Sequence, residues 1–446
     1  MSKSSVLIIG GGWAGLATAS QLQRLGHSVT VIEAAKQWGG RARTTSMGHT
    51  EVDNGQHLML GAYTGMLDFM QAVGIQESDV FLRTPLNLQV EMIGSERGQL
   101  HLQAPVLPAP VHLLVAFLRC KGIRWGDKLR GLFSMDRMMK VRFKGDDDCS
   151  VIELMNRCGV PQSIQERLQI PLCIAALNTD PDIASGRVFV NVLREAFKTG
   201  RAASDFLIPI TDLGALLPEP AAEHLAQQGA SMQLGCKAQS LLIENDRVIG
   251  VTTADGASIK ADCVVVAGNY PQAAKLLAQT ETTKALSQTL KAFEDEPIYT
   301  LYYQFDDSVS LPDYPMLGLL GGHSQWLFDR RIVNQPGLFA VVISANGPHA
   351  DLSRQQLADA VLGELRQALS TKGIELPDPK DTLVLKEARA TYRCTVGVLQ
   401  QCPDNQTATP GLWLAGDYTR TGFPATLEGA VRSGYNCAHQ IHAQLS

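Results

Sequence analysis

Three short stretches of this 446-residue chain gather residue types that bind anions and handle protons. The first is VLIIGGGWAGLATASQL, in which Gly10-x-Gly12-x-x-Gly15 follows an apolar run and opens a helical pattern. Glycines at that spacing permit a sharp turn, close approach of backbone to a pyrophosphate and tight helix–strand packing. The helix N-terminus adds amides and a positive dipole for the anion. Trp13 and Ala14, between the second and third glycines, belong to the same expected contact. Glu33 closes the next apolar run, SVTVIE, where a carboxylate accepts from ribose hydroxyls and disfavours a 2′-phosphate. This spacing predicts a dinucleotide site.

The second stretch is GGRARTT, residues 39 to 45, followed by VDNGQHLMLGAY, residues 52 to 63. Gly39 and Gly40 precede Arg41 and Arg43, cations placed where a pyrophosphate can use them. Gly55 allows a ring system to approach the backbone, with Gln56 beside it. His57 and Asp53 are the candidate catalytic side chains, because both can exchange or hold a proton there. The alternative for His57 is a hydrogen-bonded structural role.

The third stretch, AGDYTRTGFPATLEGAVRSG, spans residues 415 to 434. Its pattern predicts a strand over LWLAG, a turn at Gly416 and Asp417, and a helix starting at Pro424 with Glu428 in its first turns. An N-terminal fingerprint of this kind holds only the ADP half of FAD, so the flavin half needs a second segment. Asp417 is placed to accept from the ribityl hydroxyls, and the amides of Thr426 and Leu427 to face the flavin N1–C2=O edge. Taken together, the three stretches point to FAD.

Positioning these residues requires elements far apart in the chain. Apolar runs near residues 5 to 35, 230 to 280 and 411 to 445 read as α/β; the intervening parts differ. The expected architecture is α/β: a Rossmann-like FAD-binding domain of the GR2 type, assembled from residues 1–79, 206–285 and 386–446. An α+β substrate domain, residues 80–205 and 286–385, is inserted between those segments. Its first part reads as mostly helical, and its second holds the aromatic strand PIYTLYYQF and the helical LSRQQLADAVLGELRQAL. Asp146, Asp147 and Asp148 read as the cap of a helix beginning near Ser150 rather than as a metal site. No metal is expected; His439 and His442 read as solvated.

A net charge of −5 gives no basic bias towards nucleic acid. No run reaches the ~18 apolar residues of a membrane span. The first residues turn to glycine too soon for a secretory signal, and the nine scattered cysteines contain no CxxC. A reduced, cytoplasmic protein is expected.

In this order the motifs resemble the flavin-containing amine oxidase and phytoene desaturase superfamily over nearly the whole chain. LGCKAQSLLIE looks like the strand that meets adenine through its backbone, which would place Ala238 at that contact. A narrower likeness is to the bacterial squalene-associated FAD-dependent desaturases, the hydroxysqualene dehydroxylase family. It rests on VDNGQHLMLGAYTGML, IPLCIAALNTDPDIAS, DFLIPITDLGALLPEPAAEHL, ATYRCTVG and GDYTRTGFPATLEGAVRSG. Two departures are Tyr418, where that family often carries Trp, and QQCPDN, which lacks the common Arg-Pro.

The resemblance implies an enzyme that removes the hydroxyl of hydroxysqualene reductively, giving squalene, water and oxidised FAD on a bacterial route to hopanoids. It also implies prenyl-synthase-like enzymes as companions. The same cofactor residues would serve a phytoene-type polyprenyl desaturase working oxidatively. A third alternative is a non-catalytic prenyl-lipid-binding protein of the GDP-dissociation-inhibitor type. Tyr302 and Tyr303 are candidates for the substrate pocket, with one of the adjacent pair facing inward. A C30 isoprenoid must come from a membrane, so the protein is expected at the inner face of the cytoplasmic membrane. APVLPAPVHLLVAFLRCKGIRWGDKLRG, residues 104 to 131, mixes leucines and Trp125 with Arg119, Lys121, Arg124, Lys128 and Arg130. It reads either as a basic-rimmed segment lying on anionic lipid or as a core-facing helix of the substrate domain.

Overall fold

The computed structural model describes residues 4–94, 99–198, 200–312 and 314–446. The runs SVLII and CVVV are short, β-branched and buried, as central strands of a parallel sheet must be when both faces are covered. They form the middle of a five-stranded parallel sheet ordered Ser231–Leu234, Ser28–Glu33, Ser5–Ile9, Cys263–Val266, Leu412–Leu414. Leu7 pairs with Thr30 on one side and Val264 on the other. Strands from three remote parts of the chain thus share one sheet, and the α/β Rossmann-like architecture is present.

Helix α1 (Trp13–Arg24) leaves the first strand so tightly that a Cβ on Gly15 would stand 2.0 Å from the Gly10 carbonyl oxygen. Only glycine permits that approach. The final helix, Leu427–Leu445, lies against α1 with equal intimacy; a Cβ on Gly434 would come within 2.5 Å of the Ala14 carbonyl oxygen. The N-terminal ends of these two helices are thereby drawn to one place. Helix α2 (Thr64–Ala72) packs beside them.

The second layer is a seven-stranded sheet ordered Asp381–Tyr392, Asp295–Gln304, Leu338–Ser344, Trp326–Asp329, Met316–Leu320, Asn87–Met92, Leu100–Gln103. Its pairs are antiparallel except Met316–Leu320 with Asn87–Met92. Helix Arg354–Ser370 covers one face, burying Leu357, Val361 and Leu365 with Tyr303. A reciprocal cap between Ser353 and Gln356 starts it. The expected boundary at residue 386 falls inside strand Asp381–Tyr392, which belongs to this sheet. The stretch expected to be mostly helical also supplies strands Phe81–Thr84, Asn87–Met92 and Leu100–Gln103. Each is too short for its alternation to stand out.

Two helices close the remaining side, α3 (Val111–Arg119) and α4 (Trp125–Lys140). Ser150, not the aspartate run, caps the helix Val151–Cys158 by accepting from the Glu153 amide at 3.1 Å. Asp148 instead accepts from the amides of Cys149, Arg187 and Gly397, tying three segments together. Among the described residues no helix is long and apolar enough to cross a membrane.

Candidate functional site

One cavity of about 1830 Å³ runs between the two layers. That exceeds the roughly 300–1,000 Å³ of a single small-molecule site. One arm reaches the parallel sheet, and there it meets Gly10, Gly12, Trp13, Ala14, Glu33, Gly39, Gly40, Arg41 and Arg43. It also meets Gly55, Gln56, Ala238, Gly416, Asp417, Thr426 and Leu427. Of the seventeen expected cofactor residues only Gly15 lies off the wall, where it serves the packing of α1. The other arm is apolar, walled by residues such as Leu113, Phe117, Leu132, Met135 and Ile164.

The polar arm fits FAD on its own geometry. Helix α1 begins at Gly12 with no side-chain cap and no acidic residue in its first turn, so its leading amides are left for an outside acceptor. A Cβ on Gly40 would lie 3.3 Å from the Gly12 Cα, and the Gly39 amide donates to the Gly11 carbonyl at 2.9 Å. The two glycine turns therefore form one cradle that side chains would fill. The Trp13 indole N–H at its edge is buried without a partner among the described residues. Glu33 holds the amides of Gly11 and Ala35 at 2.7 Å each, and the Cys236 amide donates to the Glu33 carbonyl. Ala238 follows two residues later on the same cavity wall.

Arg41 joins the second motif to the third. Its guanidinium pairs with Asp417 and donates to the Ala390 carbonyl at 2.7 Å. Burial opposes the Arg41 charge, but Asp417, joined by Glu387 and Tyr270, more than offsets this and raises its pKa above the ordinary value. The final helix starts at Leu427, with Thr426 as its cap accepting from the Gly429 amide at 3.1 Å. Pro424 lies ahead of it rather than at its first position, because the Thr426 hydroxyl takes the capping role. Glu428 turns away to accept from the Gly65 and Met66 amides of α2 at 3.0 and 2.9 Å.

His57 lines the cavity, and its Nδ1 stands 2.8 Å from the Gly55 carbonyl oxygen. A carbonyl only accepts, so Nδ1 carries the proton, and in the neutral ring Nε2 is a bare acceptor. Burial lowers the His57 pKa; the Gly55 bond and Asp53 oppose that fall, while Arg41 adds to it.

Asp53 is held in the protein interior rather than on the cavity wall. It lies off the cavity, 1% exposed, and pairs with the 2%-exposed Arg330 at 2.8 Å. Its other oxygen accepts from the Leu213 amide at 2.8 Å, and its carbonyl accepts from the Tyr302 hydroxyl at 2.9 Å. Tyr302 and Tyr303 do point to opposite faces, but neither lines the cavity; both faces of their sheet are covered, and Tyr303 donates to the Ala358 carbonyl.

Three cavity or near-cavity residues went unread in the sequence. Arg330 holds Asp53 and donates to Gln56. Tyr63 lines the wall, and burial, aided by Glu428, keeps its phenol protonated well above the ordinary range. Gln169 ends a π-helical stretch, Gln165–Gln169, and its buried side-chain carbonyl has no partner among the described residues. Pro171, two residues on, lacks an amide for the regular helix and was the one local signal.

The family model for flavin containing amine oxidoreductases matches residues 13–442. A hydroxysqualene dehydroxylase from Rhodopseudomonas palustris is 32% identical, covering 99% of each chain. One from Sinorhizobium fredii is 29% identical over 97% of each. A 15-cis-phytoene desaturase from an Oncidium hybrid cultivar is 25% identical, covering 98% of this chain and 77% of that one. Among solved structures, cyclohexylamine oxidase from Brevibacterium oxydans superposes with a TM-score of 0.66 at 18% identity over all of both chains. That last likeness concerns the fold.

Proposed function

The chain belongs to the flavin containing amine oxidoreductase family, an FAD-dependent oxidoreductase, and we propose that it reduces hydroxysqualene, or a closely similar C30 isoprenoid alcohol, to squalene and water. The observation that carries this reading is the one cavity that brings the FAD residues together with a largely apolar wall that includes Leu113, Phe117, Leu132, Met135 and Ile164. The likeness to dehydroxylases extends to both ends of those proteins and exceeds that to phytoene desaturases, which favours the reductive direction over oxidative desaturation.

The glycine cradle and the α1 N-terminus would hold the pyrophosphate, Glu33 the ribose, and Arg41 with Asp417 the centre of the molecule. The amides after Thr426 would meet the flavin edge. Reduced FAD, when bound, would supply two electrons and two hydrogens, a hydride for the new C–H bond and a proton with which the hydroxyl leaves as water when the C–O bond breaks.

The protein's own part is orientation. His57 Nε2 accepts from the substrate hydroxyl and fixes the carbon that carries it; the apolar arm holds the hydrocarbon and keeps bulk water away. His57 is in this reading an acceptor and not a proton donor, since the neutral ring has no Nε2 proton to give. Substrate comes from a membrane, and prenyl-synthase-like enzymes are proposed as its source.

The test is anaerobic. The yellow holoprotein is reduced, hydroxysqualene is added, the flavin band is followed and the product is weighed by mass spectrometry. Flavin reoxidation with one squalene per flavin is expected. A flavin that stays reduced beside intact substrate rejects the reading.

A further inference from the structure

Eleven large apolar side chains are exposed among the described residues, and seven fall between residues 106 and 133. Scattered exposed hydrophobics are ordinary; a cluster of this kind marks an interaction surface. Along α4, Trp125, Leu129 and Phe133 stand 65%, 54% and 69% exposed. Their spacing of four residues puts them on one stripe of the helix, the stripe that faces water and should be polar. Val106, 77% exposed, and Val111 extend the patch onto the entry to α3.

The opposite sides of the same two helices line the cavity, through Leu113 and Phe117 on α3 and Leu132 and Met135 on α4. Leu114 belongs to both sets, 42% exposed and on the cavity wall. The patch is therefore the outer surface of the substrate chamber. Both helices thus face the chamber on one side, as the core-facing reading expects, and leave apolar side chains exposed on the other.

Four exposed cations rim the patch: Arg119, Lys121, Arg124 and Arg130. None forms an ion pair among the described residues, in a chain whose net charge is −5. Lys128 is not one of them; it is buried, donates to the Leu118 carbonyl at 2.8 Å and lies over the Trp125 ring. Arg119 and Lys121 also wall a small hollow with Thr84 and Tyr314, next to Val106.

We infer that α3 and α4 dock this protein onto an anionic bilayer, with Trp125, Leu129, Phe133 and Val106 below the headgroups and the four cations among them. An apolar stripe beneath a ring of unpaired positive charge matches the layering of a bilayer interface. A second copy of this chain fits less well, because a two-fold contact would set the same four cations against each other. The inference deepens the isoprenoid reading and rests on it only for the cargo.

The test uses FAD-loaded full-length protein and vesicles without isoprenoid, so its outcome is separate from that of the turnover experiment. Wild type is expected to float with phosphatidylglycerol–phosphatidylcholine vesicles and weakly with pure phosphatidylcholine. The pair Trp125→Ser and Phe133→Ser, and separately the four cations changed to Gln, should each reduce flotation at least tenfold. These side chains are exposed, so melting temperature and turnover of detergent-dispersed substrate should stay near wild type. Wild type that fails to float with anionic vesicles overturns the inference. So do variants that float as well as wild type, or a dimer that sedimentation shows the serine pair to abolish.

Discussion

Arg330 donates to Asp53 across 277 residues of chain, at 2.8 Å, with both side chains almost wholly out of water. Breaking such a pair from one side leaves a buried charge uncompensated and costs about 3–5 kcal/mol. Arg330→Met should therefore lower the free energy of unfolding by about that much, read by denaturant titration. Turnover per folded, flavin-loaded molecule should hold within a few-fold in Asp53→Asn. A loss of several hundred-fold with the fold intact would return Asp53 to the reacting centre.

His57→Ala distinguishes an acceptor from an acid. Loss of one orienting hydrogen bond, about 1.4 kcal/mol, predicts about a tenfold fall in kcat/KM with FAD retained. Loss of a general acid would cost roughly 10²–10⁴-fold. Steady-state kinetics decides.

The same residue sets a pH dependence. Burial puts its folded pKa below the ordinary 6.5. Between the two values the unfolded chain binds a proton that the folded chain refuses, so stability rises with pH through that window and falls as pH drops. Activity that needs a bare Nε2 falls in the same direction. Thermal melts and turnover from pH 7 downwards should show both losses in wild type, and His57→Ala should remove its share of the first.

Arg41→Gln leaves Asp417 without its cation inside the FAD arm. A charge-assisted contact of about 1.5–3 kcal/mol predicts roughly 10- to 100-fold weaker retention of flavin, measured by dialysis and the ratio of flavin to protein absorbance.

Gln169→Met removes an unpartnered buried carbonyl at similar volume. The apoprotein should gain about 1 kcal/mol of stability in denaturant titration, since an unmade buried hydrogen bond costs about 1–3 kcal/mol. A loss of that size would mean the amide has a partner in solution.

What was legible in the sequence was local. Gly10 to Gly15, Glu33 and the GGRAR turn each sit within one strand–turn–helix unit, so their spacing alone sets their geometry. What was hidden depended on distant partners. Nothing near Asp53 signals Arg330, and a carboxylate beside DNGQH reads equally well as reactive or structural. Alternation correctly opposes Tyr302 to Tyr303, but it cannot say which face meets a cavity when both faces are covered. Pro424 looked like a helix start because proline suits that position; Thr426 competes for it through a hydroxyl whose bond spans three residues. The exposed stripe at Trp125, Leu129 and Phe133 was written in the sequence, yet its period is that of any core-facing helix, and only the packing shows which way it faces.

Helices α3 and α4 are apolar on both broad sides, one towards the chamber and one outwards. For a cargo of thirty carbons, a passage through water would add a barrier of about 24 kcal/mol, at roughly 0.8 kcal/mol per carbon. Escape over such a barrier occurs on the order of 10⁻⁵ per second, about once a day. On the docking inferred above, a wall that is greasy throughout its thickness would let the hydrocarbon change hosts without ever dissolving, and the supply rate would be set within the membrane rather than by passage through water.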